Sequence, residues 1–300
     1  MVFWHISSTL TDIIRRDRLR SPTGTPAKLA TNLEEVQQFL YDYFRMHPDV
    51  IYHIPVEALK EDTVLVVRSE TMIVGCIRYH WIGTYNNKRI HLVDCFCVHP
   101  TWRGKGVGDY LLHELHHMMK EKPCAMFLKE GSPLPIMPFY RGCYVYRTII
   151  KESTPNVRHV PANLAYKIMK IHQQVRPFLM IYRPSSNQIW RLYRSGIHYV
   201  LACIQDTYQT LHGKKMGWIT GWIESPGITD AIRSDASYQL STVSQFDMIW
   251  MHHHAIHSIT MDRYVHHNKD ISWKEDGPFY WYTYQWAPSI EIGPSYFVFV

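Results

Sequence analysis

Ile90-His91-Leu92-Val93-Asp94-Cys95-Phe96-Cys97-Val98, His99-Pro100-Thr101-Trp102, Arg103-Gly104-Lys105-Gly106-Val107-Gly108 and Asp109-Tyr110-Leu111-Leu112 follow one another without a break. The first nine residues form an apolar run suited to a strand. From Val107 to about Lys120 apolar residues recur at helical spacing, with Leu111 and Leu115 as core positions. Between them lies a basic, glycine-rich turn. Such a strand-to-helix turn lets backbone N–H groups approach an anion, and the helix N-terminus adds a favourable dipole. Arg103 and Lys105 supply countercharge. The G-x-x-x-x-G-K-[ST] spacing of a P-loop is missing, so this is a different phosphate-binding device.

Working outward, Val64–Val67 and Met72–Tyr79 are β-branched runs separated by a four-residue turn, which predicts a hairpin. Asn32 is placed to cap a helix over Leu33–Phe44, where Val36, Phe39, Leu40 and Tyr43 recur on one face. Residues 7–31, rich in Ser, Thr, Arg and Pro, read as a loop or arm. Ala125–Leu128 reads as a further strand. Helix, hairpin, central strand, turn and helix make an α/β (α+β) order. The stretch 148–161 is polar and carries Pro155 and Pro161, which predicts a boundary near 160 between domains of 1–160 and 161–300. Beyond it, strand-like runs occur at Ile197–Ile204, Met216–Glu224, Phe246–Met251, Phe279–Trp286 and Tyr296–Val300. Met261–Asp276 reads as loop or short helix.

The 300 residues are 46% hydrophobic and 19% charged, enough for a sizeable core and against a disordered chain. A net charge of +6 is mildly basic, enough to attract polyanions or a phosphorylated cofactor. No basic stripe is interleaved with stacking aromatics, so nucleic acid is not an expected partner. No apolar run approaches the ~18 residues of a membrane span, and Met1–His5 meets four arginines without the apolar core of a signal peptide. Cys76, Cys95, Cys97, Cys124, Cys143 and Cys203 form no C-x-x-C pair, and most sit in apolar runs. They read as buried hydrophobes of a reducing, cytoplasmic compartment.

His113-Glu114-Leu115-His116-His117 satisfies the zinc-protease pattern H-E-x-x-H. On a helix, however, His113 and His117 fall ~200° from Leu111 and Leu115 and are expected to face solvent, where a catalytic zinc has no buried support. His252, His253, His254, His257, His266 and His267 have no compact ligand spacing. No metal is expected.

The turn matches the pyrophosphate-binding turn of GNAT-type acyl-CoA N-acyltransferases. The resemblance extends further. His91–His99 followed by Arg103–Gly108 is similar to the strand and turn of N-myristoyltransferases. Gly131-Ser132-Pro133-Leu134-Pro135 and Tyr144-Val145-Tyr146-Arg147 look like that family's Gly-x-x-Leu-Pro and Tyr-Trp-His-Arg segments. Phe3-Trp4 resembles its N-terminal Phe-Trp. Phe246-Asp247, Asp276-Gly277 and Tyr282-Thr283-Tyr284-Gln285-Trp286 follow in the family's order.

The resemblance implies two GNAT-like halves in one chain, the first binding long-chain acyl-CoA and the second supplying much of a peptide groove. It implies transfer of a myristoyl group to an N-terminal glycine, a protein-lipidation reaction, by a monomer with acyl-CoA as co-substrate and no permanently bound cofactor. Cys95 and Phe96 would offer backbone N–H groups to the thioester oxygen. Cys97, Val98, Arg103, Gly104, Lys105, Gly106, Val107 and Gly108 would hold the CoA, with Phe3 and Trp4 near its adenine. The carboxylate of Val300 would deprotonate the glycine amine. Three departures stand out. Asp94 replaces an Asn and is either an auxiliary base or a strand-end residue. Lys129 replaces a Thr that helps guide the amine. The acidic loop after the first helix is absent. A short-chain GNAT acetyltransferase and an inactive acyl-CoA-binding module are the alternatives.

Overall fold

The computed structural model describes residues 19–44, 49–85, 87–119, 124–134, 138, 140–149, 153–175, 180–242, 245–252, 274–284 and 296–298. Phe3, Trp4, Pro135, Gln285, Trp286 and Val300 lie outside them, as do His253, His254, His257, His266 and His267. The chain divides into two compact units. One takes Met1–Gly83, Lys88–Tyr140 and Tyr280–Pro288, the other Thr84–Asn87, Arg141–Phe279 and Ser289–Val300.

In the first unit the described elements are β1 (Lys28–Leu29), α1 (Leu33–Tyr43), β2 (Val50–Tyr52), α2 (Val56–Leu59), β3 (Thr63–Ser69), β4 (Met72–Tyr85), β5 (Lys88–Val98), α3 (Val107–Met119) and β6 (Ala125–Glu130). Asn32 caps α1 by accepting from the Glu35 amide at 3.1 Å, a contact worth about 1 kcal/mol. Val36, Phe39 and Leu40 form its buried face. The hairpin β3–β4 is antiparallel, as the two β-branched runs require. The arm is not all loop: Lys28 and Leu29 pair with Val66 and Leu65 and extend the sheet beside β3. The sheet runs β1-β3-β4-β5-β6 and is followed by β14 (Lys274–Tyr284), whose last five residues belong to this unit.

The core lies between this sheet and α3. Val107, Tyr110, Leu111, Leu112 and Leu115 pack on Val74, Ile77, Tyr79 and Val93. Gly75 on β4 makes the close approach possible: a Cβ there would stand 2.7 Å from Val107 Cγ1 and 3.0 Å from Leu111 Cδ1. From the far end of the chain, Tyr282 joins the same core. It stacks on Phe127 at 5.0 Å, and its hydroxyl accepts from the Leu134 amide at 2.8 Å.

The second unit contains β7 (Tyr140–Thr148), β8 (Val157–Val160), α4 (Ala162–Val175), β9 (Ile181–Tyr182), β10 (Gln188–Ser195), β11 (His198–Leu211), β12 (Lys214–Glu224), α5 (Asp230–Ser241), β13 (Met248–His252) and β15 (Tyr296–Val298). Its strand order is β7-β13-β12-β11-β10-β8. The order α4, hairpin β10–β11, β12, α5, β13 repeats the order α1, hairpin β3–β4, β5, α3, β6 of the first unit. The resemblance implied two such halves. In both, the strand after the hairpin runs parallel to the strand after the next helix. The polar stretch around 155–165 lies within the second unit, at β8 and the start of α4.

The polar residues of this unit anchor α5. Arg191 Nη1 donates to the carbonyls of Leu240 and Thr242 near the helix end, at 3.2 and 2.6 Å. Arg147, from the Tyr144–Arg147 segment, donates to the Tyr238 carbonyl at 3.0 Å. At the other end, buried Glu224 accepts twice from Arg233, at 2.7 and 2.9 Å, and once from Trp222 Nε1 at 2.8 Å. Gly217 leaves room for the ring of Phe246, which would stand 2.6 Å from a Cβ there.

Candidate active site

The ladder between β5 and β6 holds at two pairs, His91–Ala125 and Leu92–Met126. β5 continues to Val98, and among the described residues no other strand pairs along that edge. The second unit treats the matching edge differently. There β12 pairs with β13 over Met216–Ile219 and then, over Gly221–Ile223, with β15. A strand from the end of the chain thus fills on β12 the kind of edge that no described strand fills on β5.

The backbone of β5 bends where this edge begins. Cys95 has φ +46, in the left-handed region that an L-residue enters only at a cost. The side-chain directions register the extra residue as a bulge does. Val93 joins the core under α3, and the Phe96 ring lies 3.0 Å from where a Gly108 Cβ would be. Asp94 and Cys95 both turn to the opposite face. There Asp94 takes Arg78 bidentately, with Nε to Oδ1 at 2.6 Å and a second, shorter bond from Nη2 to Oδ2. Arg78 Nη1 reaches the Ala58 carbonyl at 3.4 Å and Asp62 Oδ2 at 3.5 Å. His80 Nδ1 stands 3.7 Å from Asp94 Oδ1, and the Tyr52 hydroxyl lies 3.4 Å from Cys95 Sγ.

Burial disfavours the charge on Asp94, but Arg78, aided by His80, more than offsets it and holds the carboxyl well below the usual carboxylate range. A proton acceptor so stabilised is a weak base. Burial, reinforced by the Asp94 charge, pushes the Cys95 thiol up to about 12. Burial alone raises Cys97 to about 12, against the pull of Arg103. Neither thiol is a nucleophile at neutral pH.

Past Val98, a 3-10 turn at Pro100–Trp102 leads to the glycines. Gly104 and Gly106 have φ +74 and +82, so this backbone path favours glycine at both positions. The first i→i−4 bond of α3 is Tyr110 N–H to Gly106 O, at 3.0 Å. The amides of Val107, Gly108 and Asp109 precede it and have no acceptor within the helix. Arg103 Nε donates to Val98 O at 3.1 Å, and Lys105 Nζ lies 4.9 Å from the Trp102 ring centre. Two exposed cations therefore flank a helix N-terminus, an arrangement suited to an anion of high charge.

Several expected residues meet here: Asp94, Cys95, Phe96, Cys97, Val98, Arg103, Gly104, Lys105, Gly106, Val107 and Gly108 run consecutively along β5, the turn and α3. Phe3, Trp4 and Val300 lie outside the described residues. Lys129, on β6, donates to the Glu130 carbonyl at 2.5 Å. One expectation is corrected. His113 is buried and does not face solvent, because the segment entering β1 covers that side of α3. The Leu19 amide donates to His113 Nε2 at 3.3 Å, and the Ala27 amide to the Tyr110 hydroxyl at 3.2 Å. Arg78 and Tyr52 were missed as site residues. The signal for Arg78 was available: a lone cation in an apolar strand, with a lone carboxylate in the next one.

Residues 60–143 match the model of the acetyltransferase (GNAT) domain. Among solved structures, one of Saccharomyces cerevisiae N-myristoyltransferase with bound myristoyl-CoA superposes with a TM-score of 0.63 at 13% identity, covering 95% of this chain and 93% of that one. A second structure of the yeast enzyme with myristoyl-CoA gives a TM-score of 0.62 at 12% identity, covering 91% and 84%. No curated protein sequence matches. The fold is that of these transferases along nearly the whole chain.

Proposed function

We propose that this chain is an acyl-CoA-dependent N-acyltransferase that moves a myristoyl group to the amine of an N-terminal glycine. The observation that carries the reading is the edge of β5 that no described strand fills, running directly into the glycine turn. It offers backbone partners for an extended amide-bearing arm and, at its end, a helix N-terminus with Arg103 and Lys105 for phosphates. Coenzyme A joins those two features in one molecule. The filled edge of β12 supports placing the ligand on the first unit.

In this reading the amides of Val107 and Gly108, with Arg103 and Lys105, hold the CoA phosphates, and the glycines at 104 and 106 let the backbone approach. Cys97 and Val98 line the arm, and Phe3 and Trp4 cover the adenine. The thioester carbonyl meets the amides of Cys95 and Phe96, which stabilise the oxyanion formed on attack. The incoming ammonium is not a nucleophile until it loses a proton, which passes to the Val300 carboxylate. The amine then forms the new C–N bond, the C–S bond breaks, and CoA leaves as the thiol after taking up the amine's second proton. Neither buried thiol takes part, since both stay protonated.

The test is a transfer assay read by mass spectrometry, offering glycine-starting peptides equal concentrations of acetyl-, octanoyl- and myristoyl-CoA. Myristoyl mass on the glycine amine is the expected result. Acetyl transfer alone would replace this reading with that of a short-chain acetyltransferase, which the GNAT domain match also supports. Binding of myristoyl-CoA without transfer would make the chain a binding module. Residues appended after Val300 are expected to abolish transfer while leaving acyl-CoA binding intact, and full activity of the extended chain would remove the carboxylate from the mechanism.

A further inference from the structure

We propose that Asp94 and Arg78 are positioning residues that lock the bulge at Cys95, and so aim the backbone donors at the thioester oxygen. The inference rests on the acyl-transfer reading. It concerns why the donor geometry is held, and it excludes Asp94 as the base.

A left-handed φ at a non-glycine residue relaxes unless its surroundings over-determine it. Here residues 94 and 95 are tied at three points. The Asp94 carboxylate is fixed by two bonds from Arg78, and Arg78 is itself held from α2 and the loop after it through Ala58 O and Asp62. The Cys95 side chain meets the Tyr52 hydroxyl of β2. The Cys95 carbonyl accepts from the Cys76 thiol of β4 at 3.2 Å. All three ties lie on the face away from α3, and the Cys95–Phe96 peptide is what they orient. An aspartate spent in this way has both oxygens engaged by a cation and its proton affinity depressed. The groups facing it are Tyr52 from β2, Asp62 from the loop after α2, Arg78 and His80 from β4, and Cys95 on its own strand.

The experiment compares Asp94→Asn with the double variant Arg78→Gln/Asp94→Asn. Each is offered two acceptors, a glycine peptide and the same peptide starting with an aminooxyacetyl group, whose terminal amine is already uncharged at neutral pH. Misaimed oxyanion donors slow attack by any nucleophile, whereas loss of a base slows only the acceptor that must be deprotonated. The expected result for Asp94→Asn is a fall in kcat of roughly 10–100-fold with both acceptors, acyl-CoA affinity within about threefold of wild type, and faster amide exchange over residues 93–98. The double variant leaves no unpaired buried cation, and its neutral pair can still hydrogen-bond. It is expected to fold and to recover part, but not all, of the loss with both acceptors.

A loss confined to the glycine peptide would make Asp94 a base and overturn the proposal, as would full activity of Asp94→Asn. If Asp94→Asn does not fold, the double variant decides alone: equal losses with both acceptors sustain the lock, and unequal losses or none refute it. Folded wild-type protein that transfers no acyl group to either acceptor would instead overturn the acyl-transfer reading, and the lock with it.

Discussion

Replacing Gly75 with alanine tests how closely α3 must sit on the sheet. The new Cβ would stand 2.7 Å from Val107 Cγ1 and 3.0 Å from Leu111 Cδ1, against about 3.5–4.0 Å for relaxed carbon contact. Leu111 can swing its terminal methyl aside. Val107 cannot, because a β-branched side chain in a helix has one strongly preferred rotamer and this one is almost fully buried. The first turn of α3 must therefore lift by several tenths of an ångström, carrying the amides of Val107 and Gly108 with it. Overpacking of this kind costs about 1–3 kcal/mol. For a unit of this size, each kcal/mol lowers Tm by roughly 2–4 °C. Calorimetric scans of Gly75→Ala should show that loss, and titration with myristoyl-CoA should show binding weakened about tenfold, equivalent to 1.4 kcal/mol. A cycle with Val107→Ala isolates the contact. Removing Cγ1 should cost at least about 0.5 kcal/mol less in the Gly75→Ala background than in wild type. Wild-type Tm and affinity in Gly75→Ala, or strict additivity in the cycle, would show that α3 does not depend on this approach.

Three further outcomes follow from other parts of the molecule. Gly106→Ala places a side chain in open space but at φ +82, so the cost is backbone strain of about 1–2 kcal/mol; acyl-CoA affinity should fall at least tenfold, and unchanged affinity would argue against the turn as the phosphate site. Arg233→Met leaves Glu224 buried without its cation, and urea unfolding should register a loss of about 3–5 kcal/mol that Arg233→Met/Glu224→Gln largely restores; a loss under about 1 kcal/mol would mean that water reaches the pair. Burial, with repulsion from His117 and His113, lowers His116 to about 4. The unfolded chain binds that proton near 6.5, so stability should fall as pH drops from about 6.5 towards 4. His116→Leu should flatten this stretch of the stability curve, and an unaltered curve would show that His116 contributes nothing to it.

Where the chain alternates or repeats apolar residues cleanly, the sequence was enough to read the structure. The hairpin of Val64–Val67 and Met72–Tyr79, the cap at Asn32 and the turn at Arg103–Gly108 all stand where expected, because local periodicity and glycine placement dictate them. α4, α5 and β10 escaped notice because none shows a clean apolar stripe in its sequence. α5 buries Arg233, Ser237, Gln239 and Ser241 beside Ala236 and Leu240; Arg233 pairs with Glu224, Gln239 accepts from the Asn156 amide, and Ser241 bonds back to the Ser237 carbonyl. α4 buries only Ala165, Met169 and His172 and shows Leu164, Ile171 and Val175 to the outside. β10 alternates Trp190, Leu192 and Arg194 with Arg191, Tyr193 and Ser195, a pattern without a clear inner face. At the candidate site the strand and glycine turn could be picked out in the sequence, but Arg78 and Tyr52 were missed and the side-chain directions could not be read. A period of two would set Asp94 and Cys95 on opposite faces, and only the bulge puts them together. His113 was misread because the covering segment at Leu19–Ala27 leaves no mark on the helix it covers.

β14 begins in one compact unit and ends in the other, and this has a consequence for the order of events during synthesis. Leu134 waits for a residue 148 positions later, Tyr282, to accept its amide. At about 5–20 residues per second, roughly 7–30 s separate the two on the ribosome. Through that interval the nascent first unit has its glycine turn, its helix and most of its sheet, but a gap where Tyr282 will stack on Phe127. The unit translated first is therefore not finished until most of the other unit has been made. A gene fragment ending near residue 140 would encode an unfinished core, and a nonsense mutation just before codon 282 would damage the oldest part of the fold along with the newest.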